Sequence, residues 1–571
     1  MLGEILDDLL ISASTGPCIT ATRHFPARPP IFAPFPATLD PRLIDALRAR
    51  GIESLYVHQA AAWERIAKGE HVVVVTPTAS GKTLCYNLPV LQALVHQPDS
   101  RALYLFPTKA LAQDQLAELE ALAKQLPEMR MFTYDGDTPQ DARRAVRARA
   151  NLVLSNPDML HSGILPHHTK WATLFQNLRY VVIDELHAYR GVFGSHLANV
   201  LRRLKRVCAH YGSAPQFIMA SATIANPGEL ASRITGEAVE EISESGAPTG
   251  DKTFVCYNPP VVNKELGIRA PYLGEAAKIA IRLLRARVAT IVFAQSRLAT
   301  EVLLGTIKQG VADKTGDTGI VRGYRGGYLP NRRREVEREL RQGEALGVVS
   351  TNALELGVDI GHLDAAVLAG YPGAIASLWQ QAGRAGRRSG ASAAVLVASS
   401  APLDQFMVTH PDYLFGTPPE HARINPDNPF ILVNHLKCAA FELPIAPPAG
   451  GGVDKVERFG GVDVRKELAA LEDEGLLHRA GDRWHWSSET YPADHISLRT
   501  VTTDNFVVID TTARDETQTK KRQIIAEVDW GSAFATIYPK AIYLVESVPY
   551  EVQELRFRED EEKVAYVKSV L

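Results

Sequence analysis

Short, uninterrupted apolar segments recur along this chain, each bounded by turn residues and followed by a helical pattern. Strands that are covered by helices on both faces have this character, so the pattern predicts parallel sheets flanked by helices. A polar stretch at 241–252 separates two groups of such segments, which places a domain boundary there. We therefore expect an α/β fold with two tandem domains. The predicted strands are 71–75, 102–106, 151–154, 180–183 and 216–219 in the first group, and 289–293, 347–350, 365–368 and 393–397 in the second.

A chain of 571 residues is too long to fold around one hydrophobic core, and its pattern changes after the second group of strands. A helical pattern from Val464 to Leu477, followed by a hairpin at 483–486, is typical of a winged helix. The strand-rich pattern from Ile496 to Tyr550 favours a small β-barrel. We divide the chain into an N-terminal extension (1–50), a first α/β domain (51–252), a second α/β domain (253–425), a winged-helix-like domain (426–490) and a small β-barrel-like domain (491–571).

Composition narrows the classes of partner. The net charge of −3 gives no overall basic character, so any surface that binds nucleic acid must be local. The 5 cysteines have no C-x-x-C spacing, which argues against a zinc knuckle and favours reduced thiols in a cytoplasmic protein. No apolar run is long enough to span a bilayer, and we expect no membrane partner.

The first predicted strand runs directly into Thr-Pro-Thr-Ala-Ser-Gly-Lys-Thr at 76–83. A strand, a loop of small residues and a helix make a phosphate site, because the loop N–H groups and the helix N-terminus both face the anion. Lys82 would reach the β- and γ-phosphates, and the Thr83 hydroxyl would help to hold Mg²⁺. Thr76 stands where the usual motif has its first glycine. We predict ATP and Mg²⁺ as cofactors, with ATP bound by Thr78, Ala79, Ser80, Gly81, Lys82, Thr83 and Leu84.

Two neighbouring carboxylates, Asp184 and Glu185, follow another buried strand of the same domain. A carboxylate at the carboxyl end of such a strand can ligate Mg²⁺ through water, and the next one can polarise the attacking water. The alternative is a surface acidic pair at a strand end. Its place in the same α/β unit as a phosphate loop favours Asp184 as a metal ligand and Glu185 as the catalytic base.

The second α/β domain contains Gln-Gln-Ala-Gly-Arg-Ala-Gly-Arg-Arg at 380–388. Arg384 and Arg387 have the spacing expected of arginine fingers that neutralise charge on the γ-phosphate. The alternative, a basic helix face, is our interpretation of Arg388. A phosphate loop and arginine fingers in separate domains make one site only when the domains close, so hydrolysis would be coupled to movement.

Taken in order, these motifs and several others resemble those of superfamily 2 helicases. The resemblance implies two RecA-like domains, adenine contacts from Tyr56 and Gln59, ribose and phosphate contacts near Gly357 and Asp359, and a catalytic role for Gln380. It also implies that four residues couple hydrolysis to strand movement, namely His187, Ser221, Ala222 and Thr223. The motifs that carry it are 56–59, 76–83, 107–111, 184–187, 221–223, 292–297, 350–361 and 380–387.

The same resemblance implies a set of nucleic-acid contacts at the ends of predicted strands. Short polar loops at one sheet edge suit the nucleic-acid backbone, which needs hydroxyls and amides but presents no base code. The alternative is that these residues only cap helices. The implied contact residues are Pro107, Thr108, Lys109, Asn156, Pro157, Asp158, Ser296, Arg297, Arg325, Thr351 and Asn352.

Four further segments, at 189–196, 324–328, 428–442 and 539–544, are similar to the mitomycin-repair helicases of the Hrq type. That resemblance implies movement 3′ to 5′ on single-stranded or 3′-tailed DNA, a role in crosslink repair with other repair proteins, and a monomer in the bacterial cytoplasm or nucleoid. Members usually carry a C-terminal domain with four zinc-binding cysteines. No such cluster is present here, so either the chain is a truncated form or this branch lacks the module, and we favour truncation.

Two alternatives stay open at this stage. An RNA helicase could use the same core, and a scaffold that binds DNA when loaded with ATP need not separate strands. The basic cluster Arg332–Arg334 does not decide between them. Its helix alternates with glutamates at 335, 337 and 339, a pattern more typical of a salt-bridged, solvated face than of a DNA site.

Overall fold

The computed structural model describes residues 2–12, 15–315, 319–358, 360–386, 390–446, 458–498, 505–512, 523–545, 548–557 and 563–570. None of the helices within these ranges has the length and apolar character needed to cross a membrane. The chain divides into two compact units, each assembled from separate parts of the sequence. The P-loop unit comprises Pro30–Ala247 and His421–Thr500, and the second unit comprises Met1–Pro29, Pro248–Glu420 and Val501–Leu571.

The strands of the described residues are numbered in chain order. Their bounds are β1 Ile19–Phe25, β2 Phe32–Ala33, β3 Leu55–Tyr56, β4 His71–Val75, β5 Arg101–Leu105, β6 Met131–Thr133, β7 Leu152–Ser155, β8 Leu178–Ile183, β9 Gln216–Ser221, β10 Val239–Ile242, β11 Lys252–Tyr257, β12 Val261–Asn263, β13 Ile268–Arg269, β14 Thr290–Ala294, β15 Val321–Tyr324, β16 Gly347–Ser350, β17 Ala365–Ala369, β18 Ser392–Val397, β19 Arg458–Phe459, β20 Val462–Asp463, β21 Leu477–Ala480, β22 Arg483–Trp486, β23 Asn505–Asp510, β24 Gln523–Asp529, β25 Ile542–Val545, β26 Val548–Arg556 and β27 Val564–Ser569.

The α-helices are numbered in the same way. Their bounds are α1 Leu2–Ile11, α2 Pro41–Ala49, α3 Val57–Ala67, α4 Lys82–His96, α5 Lys109–Leu122, α6 Gln140–Arg149, α7 Pro157–Met159, α8 Ala172–Asn177, α9 Gly191–Tyr211, α10 Pro227–Thr235, α11 Tyr272–Arg285, α12 Arg297–Thr315, α13 Pro330–Gln342, α14 Ile375–Ala382, α15 Pro402–Thr409, α16 Pro411–Gly416, α17 Pro429–Glu442, α18 Arg465–Asp473 and α19 Trp530–Thr536. Shorter π and 3₁₀ turns lie at Gly16–Cys18, Leu160–Ile164, Leu165–Trp171, Leu186–Ala188, Asn352–Leu354 and Pro492–His495.

A seven-stranded sheet in the order β10-β4-β9-β8-β5-β7-β6 forms the centre of the P-loop unit, and all neighbouring strands are parallel. Both faces are buried: Val73 and Val75 of β4 belong to one apolar cluster, and Val72 and Val74 belong to another. Side chains alternate between faces along a strand, so a continuous apolar run is what such a sheet requires. The loops after β4, β9, β8, β5 and β7 therefore lie side by side at one edge.

The second unit has its own seven-stranded sheet, in the order β1-β11-β18-β17-β14-β16-β15. Its strands are parallel except for β1, which is antiparallel to β11 at the edge. Strand β1 comes from the segment that we assigned to an N-terminal extension, so that extension completes the sheet of the second α/β domain. The two α/β domains are confirmed.

A winged-helix domain of α17, α18 and the β21–β22 hairpin closes around its own apolar core, as predicted. It belongs to the P-loop unit, where Arg203 of α9 forms an ion pair with Glu442 of α17. Both side chains are completely buried, and His161 and His435 contact the same guanidinium. A buried charge left without its partner is strongly destabilising, so this pair fixes the winged helix to the domain.

The C-terminal region forms a five-stranded sheet in the order β24-β23-β27-β26-β25. Its β-rich character is confirmed, but in the described strands the edges β24 and β25 do not pair, so this sheet is open where we expected a barrel. A strand-rich pattern does not determine closure, because closure depends on strand tilt and stagger. The core of the sheet includes Tyr328, which follows β15 of the α/β domain.

Candidate functional site

The predicted phosphate loop follows β4, and its last two residues, Lys82 and Thr83, are the first two of α4. Ala79 and Gly81 have left-handed backbone conformations, with φ angles of 63° and 77°. A Cβ atom at Gly81 would lie 2.8 Å from the Gln59 side-chain nitrogen, so only glycine fits that position without displacement. The loop is a tight turn that directs its N–H groups and the start of α4 to one side.

Lys82 is folded over this loop. Its ammonium group donates to the carbonyl oxygens of Thr76, at 2.8 Å, and Pro77, at 3.3 Å. The hydroxyls of Thr76 and Ser80 lie 2.6 Å apart and are buried. Thr76 replaces the usual glycine because its hydroxyl closes the loop onto Ser80. Lys82 therefore lies over the cradle that an ATP phosphate would enter.

Two side chains of α3 support the loop from behind. The Gly246 N–H donates to His58 Nδ1, which leaves Nε2 to donate to the Ser80 carbonyl at 3.1 Å. Burial lowers the pKa of His58 to about 4, so the ring is neutral. The Gln59 amide donates to the Gly81 carbonyl at 2.9 Å and accepts from the Tyr56 N–H at 2.9 Å. Gln59 thus connects the predicted adenine side to the phosphate loop.

An aromatic stack lies beside Gln59. The rings of Phe32 and Tyr56 stack with centroids 5.5 Å apart, and Tyr56 stacks in turn on His58. Phe32 is 56% exposed, so its outer face is open to a flat apolar group such as a purine. The sequence analysis missed Phe32, because it lies in a proline-rich segment and reaches Tyr56 only through the pairing of β2 with β3.

The acidic pair lies at the end of β8. Asp184 accepts the Glu185 N–H at 2.8 Å through one oxygen and the Tyr86 hydroxyl at 2.9 Å through the other. Burial, and then the neighbouring Glu185 carboxylate, raise the pKa of Asp184 to about 7. Glu185 has a left-handed backbone with φ of 51°, an uncommon conformation that is concentrated at functional sites. Tyr86 is a second residue that the sequence analysis missed.

The donors at this position suit Mg²⁺. Thr83 and Tyr86 are three residues apart and share one face of α4, and Tyr86 touches Asp184, so the Thr83 hydroxyl and the Asp184 carboxylate face the same region. Both groups offer hard oxygen ligands. A divalent cation would also relieve the crowding of two buried carboxylates that raises the pKa of Asp184.

The predicted coupling residues meet next to the acidic pair. The Ala222 N–H, just after β9, donates to His187 Nδ1 at 3.0 Å, and the same nitrogen lies 3.5 Å from a Glu185 carboxylate oxygen. Ser221 is fully buried and donates to the Ala222 carbonyl at 2.7 Å, whereas Thr223 is exposed. One hydrogen bond therefore joins the loop of the acidic pair to the loop after β9.

The nucleic-acid candidates of the P-loop unit follow the neighbouring strands β5 and β7. The Thr108 hydroxyl accepts from Leu111 N at the start of α5, and Asn156 accepts from Met159 N at the start of α7. Both side chains therefore cap helices at the carboxyl edge of the sheet. Pro107 and Pro157 are buried, Asp158 is half-buried, and Lys109 is 45% exposed with Asp137 3.0 Å away.

In the second unit, the candidates lie at the ends of β14 and β16, which are neighbours in the sheet. Ser296, Arg297 and Asn352 are exposed, and Thr351 caps the turn that follows it by accepting from Ala353 N. These side chains lie at the carboxyl edge of their sheet, as predicted.

The structure contradicts one of these candidates. Arg325 is 1% exposed, forms an ion pair with Glu301 at 2.7 Å and donates to the Leu544 carbonyl at 2.8 Å. A buried, paired guanidinium has no path to a phosphate backbone. Arg325 instead fastens the C-terminal sheet to the second α/β domain.

In the arginine motif, Arg384 is buried and hydrogen-bonded within its own domain instead of facing an open cradle. Arg384 is 1% exposed and donates to the carbonyls of Glu355, at 2.6 Å, and Val358, at 3.1 Å. It therefore holds the loop that contains Gly357, and in this structure its charge is used inside its own domain. Gln380 is buried on α14. Arg387 and Asp359 lie outside the described residues.

Comparison with known families agrees with this geometry. Residues 56–230 match the family DEAD/DEAH box helicase, residues 276–389 match the helicase conserved C-terminal domain, and residues 424–501 match the winged helix domain of ATP-dependent helicase HRQ1. The matched ranges contain the phosphate loop, the arginine motif and the winged helix in that order.

Individual relatives extend the match to nearly the whole chain. It is 53% identical to the ATP-dependent helicase YprA of Bacillus subtilis over 94% of its length and 70% of that protein, and 35% identical to the ATP-dependent helicase hrq1 of Schizosaccharomyces pombe over 97% of its length. It spans about half of hrq1, 52%. The structure of DUF1998 helicase MrfA bound to DNA and AMPPNP is 51% identical with a TM-score of 0.92, covering 100% of this chain and 77% of MrfA. The chain belongs to the superfamily 2 ATP-dependent helicases of the mitomycin-repair branch, with MrfA and the Hrq1 proteins.

Proposed function

We propose that this protein is a translocase that uses ATP hydrolysis to move 3′ to 5′ along single-stranded DNA and so to unwind 3′-tailed duplexes. The observation that carries the proposal is the hydrogen bond from the Ala222 N–H to His187 Nδ1, 3.0 Å long. It connects the loop of the proposed catalytic base, Glu185, to the sheet edge at which the loops after β5 and β7 also lie. A change at the phosphate therefore has a direct route to the DNA-contact edge.

DNA is the proposed track because of the relatives as well as the geometry. The MrfA structure contains bound DNA and AMPPNP. The loops at the two carboxyl edges present hydroxyls, amides and helix N-termini, which suit a sugar–phosphate backbone rather than particular bases. We assign two sets of residues to that backbone: Thr108, Lys109 and Asn156 in the P-loop unit, and Ser296, Arg297, Thr351 and Asn352 in the second unit.

In the proposed reaction, Lys82 exchanges the Thr76 carbonyl for the β- and γ-phosphates of ATP. Glu185 orients and deprotonates the attacking water, while Asp184 and Thr83 would hold Mg²⁺, which neutralises phosphate charge when bound. The purine would lie against the exposed face of the Phe32–Tyr56 stack.

The second α/β domain would supply the remaining groups of this proposed site. Arg387 is our arginine finger, with Gln380, Gly357 and Asp359 contributing to the nucleotide site. For Arg384 we propose an indirect role, since it donates to the carbonyls of Glu355 and Val358 and so positions the loop around Gly357.

We further propose that the protein works as a monomer in the cytoplasm or nucleoid, together with other proteins that repair crosslinked or mitomycin-damaged DNA. The five cysteines are buried thiols without disulfide bonds, as a reducing compartment allows. These assignments follow the family resemblance.

The function is tested by measuring ATP hydrolysis and strand separation on 3′-tailed DNA, 5′-tailed DNA and RNA of matched sequence. We expect DNA to stimulate hydrolysis and only the 3′-tailed duplex to be unwound. Stimulation without unwinding on either DNA would instead indicate an ATP-switched scaffold, and stronger stimulation by RNA would indicate an RNA helicase.

The matched control is Lys82→Ala, which removes the side chain that spans the phosphate loop but leaves the DNA-contact loops intact. This variant should bind DNA and hydrolyse no ATP above background. Hydrolysis in the Lys82→Ala preparation would point to a contaminating enzyme.

A further inference from the structure

A cavity of about 760 Å³ lies in the second unit between helix α13 and the C-terminal sheet. Its volume is within the range of sites that hold ligands. The helix contributes arginines and the sheet contributes mostly apolar residues, so the two walls differ sharply in character. We call this cavity the α13 groove.

The cationic wall is a stripe of arginines on one face of α13. Arg334, Arg338 and Arg341 are spaced four and three residues apart, so they project from the same side of the helix. With 1.5 Å of rise per residue, their attachment points are separated by about 6 Å and about 4.5 Å along the helix. Like charges at this spacing repel one another, so an anion that lies against Arg334 and Arg338 would stabilise the helix.

Two of the three glutamates of the same helix face away from the stripe. Glu337 accepts from the Tyr324 hydroxyl at 2.7 Å, and Glu339 forms an ion pair with Arg322, so both face β15 and are buried. Glu335 lines the groove as well, where it pairs with Arg332 at 2.6 Å and is attracted to Arg338. From the sequence we expected a salt-bridged, solvated face. Arg332 and Glu335 form such a bridge, whereas Arg334 and Arg338 extend into the open groove as exposed side chains.

The opposite wall, formed by the C-terminal sheet, is suited to contact the sugars and bases of a nucleic-acid strand. Ile524 and Val548 line the groove and are 45% and 41% exposed, and Tyr550 lies beside them. Asp510 is the acidic residue of this wall. Arginines can contact phosphates while apolar and aromatic side chains contact sugars and bases, which is how proteins commonly bind single strands without sequence preference.

We propose that the α13 groove is a second nucleic-acid site, in which Arg334, Arg338 and Arg341 bind the phosphodiester backbone of a single strand. Its arginines lie along α13, whereas the track residues of this unit follow β14 and β16. The proposal rests on the proposed function, because the strand is one that the helicase already engages. A strand in the groove would lengthen the stretch of nucleic acid that the protein holds.

The test removes two charges from the stripe and the same number elsewhere. Arg334→Ala with Arg338→Ala is compared with Lys278→Ala and Arg285→Ala, two basic residues on one face of α11 that do not line the groove. Binding of fluorescently labelled oligo(dT) of increasing length is measured at several salt concentrations. Thermal unfolding of both variants checks that they are folded, and ATP hydrolysis without DNA should match the parent.

Each phosphate contact on a single strand contributes about 0.7 to the slope of log affinity against log salt concentration, so the groove variant should lose up to about 1.4. The loss should appear with long oligonucleotides and vanish with the shortest ones that still bind, since those occupy only the track. Arg334→Lys with Arg338→Lys should restore the slope.

Four results would overturn the proposal. One is a salt slope equal to that of the parent at every length, and another is an equal loss in the α11 control. The third is a defect that appears even with the shortest oligonucleotides, which would place the two arginines in the track itself. The fourth is groove-dependent binding of polyglutamate but not of oligo(dT), which would indicate an acidic peptide partner. A parent protein that binds no oligonucleotide refutes the proposed function as well, so the two failures are distinguishable.

Discussion

The phosphate loop and the arginine motif, which we propose as two halves of one ATP site, are prepared to different degrees within their own units. In the P-loop unit, Lys82, Gln59 and His58 all hydrogen-bond to carbonyl oxygens of the phosphate loop, so the cradle is complete there. In the second unit, Arg384 is buried and its guanidinium donates to the carbonyls of Glu355 and Val358. The phosphate loop is therefore arranged to hold an anion. The guanidinium of Arg384, in contrast, is already hydrogen-bonded to carbonyl oxygens of its own domain.

This difference suggests a division of labour. Most of the affinity for ATP should come from the P-loop half, because its donors need only exchange a carbonyl for a phosphate. The arginine half should contribute little affinity and much of the rate, because a finger acts on charge that develops in the transition state. Four measurements test whether affinity for ATP and the rate of hydrolysis depend on different halves of the proposed site.

The largest effect is expected from Arg387→Ala. Loss of an arginine finger lowers the hydrolysis rate by about 10³- to 10⁵-fold, while the dissociation constant of ATP should change little. Single-turnover hydrolysis and nucleotide binding, measured separately, test this. The neighbouring Arg388→Ala is the control and should behave like the parent. If the Kd for ATP rose by the same factor as the rate fell, Arg387 would contribute to ATP affinity, and the proposed separation of affinity from rate would be wrong.

Glu185→Gln should lower turnover by about 10²- to 10⁴-fold, because an amide cannot accept the proton of the attacking water. The replacement has the same shape, so binding of ATP and DNA should persist. This variant locates the part of the rate that depends on the P-loop half. Hydrolysis at the parent rate would show that Glu185 is not the catalytic base.

Arg384→Ala should chiefly reduce stability. It removes two charge-assisted hydrogen bonds to buried carbonyls, each worth about 1.5–3 kcal/mol, so a loss of about 3 kcal/mol or more is expected. Hydrogen exchange at residues 355–358 would report it locally. Unchanged protection, together with a rate as low as that of Arg387→Ala, would make Arg384 a finger as well.

The smallest effect concerns pH and Mg²⁺. Burial and Glu185 raise the pKa of Asp184 to about 7, above its unfolded value, so this group stabilises the fold most in acid and loses that contribution as pH rises towards 7. Mg²⁺ must displace the proton below that pH. The Mg²⁺ concentration for half-maximal hydrolysis should therefore rise up to about tenfold per pH unit below 7.

The control for this effect is Tyr86→Phe. The Tyr86 hydroxyl donates to Asp184 and helps to lower the pKa of that carboxyl, so its removal should move the Mg²⁺ dependence to higher pH. Identical Mg²⁺ requirements at pH 6 and pH 8 in the parent protein would contradict a role of Asp184 at the metal.

The sequence predicted the carboxyl edges of the two sheets well, for a simple physical reason. Lys82, Asp184 and Ala222 all follow strands of one parallel sheet, and parallel strands end at the same edge. Once the strands were recognised as buried, their neighbourhood followed without knowledge of side-chain packing. The motifs therefore predicted which loops meet.

The orientation of side chains could not be predicted from the sequence, since it depends on contacts between distant segments. Arg325 and Arg384 were expected to face a ligand, but Glu301 and the carbonyl of Glu355 hold them in the interior. Phe32 joins the nucleotide side only because β2 pairs with β3. Such partners lie far along the chain or in irregular segments, where hydrophobic periodicity cannot predict the contact.

The buried pair of Arg203 and Glu442 bears on how this protein could be re-engineered or could have diversified. The two residues are 239 positions apart, with most of the second α/β domain between them in sequence. A P-loop domain excised before His421 would lose the carboxylate that compensates the Arg203 guanidinium. A different winged helix grafted onto this domain would therefore need a carboxylate at the position of Glu442. The junction between the two modules thus depends on a side-chain pair between α9 and α17 as well as on the length of the linker.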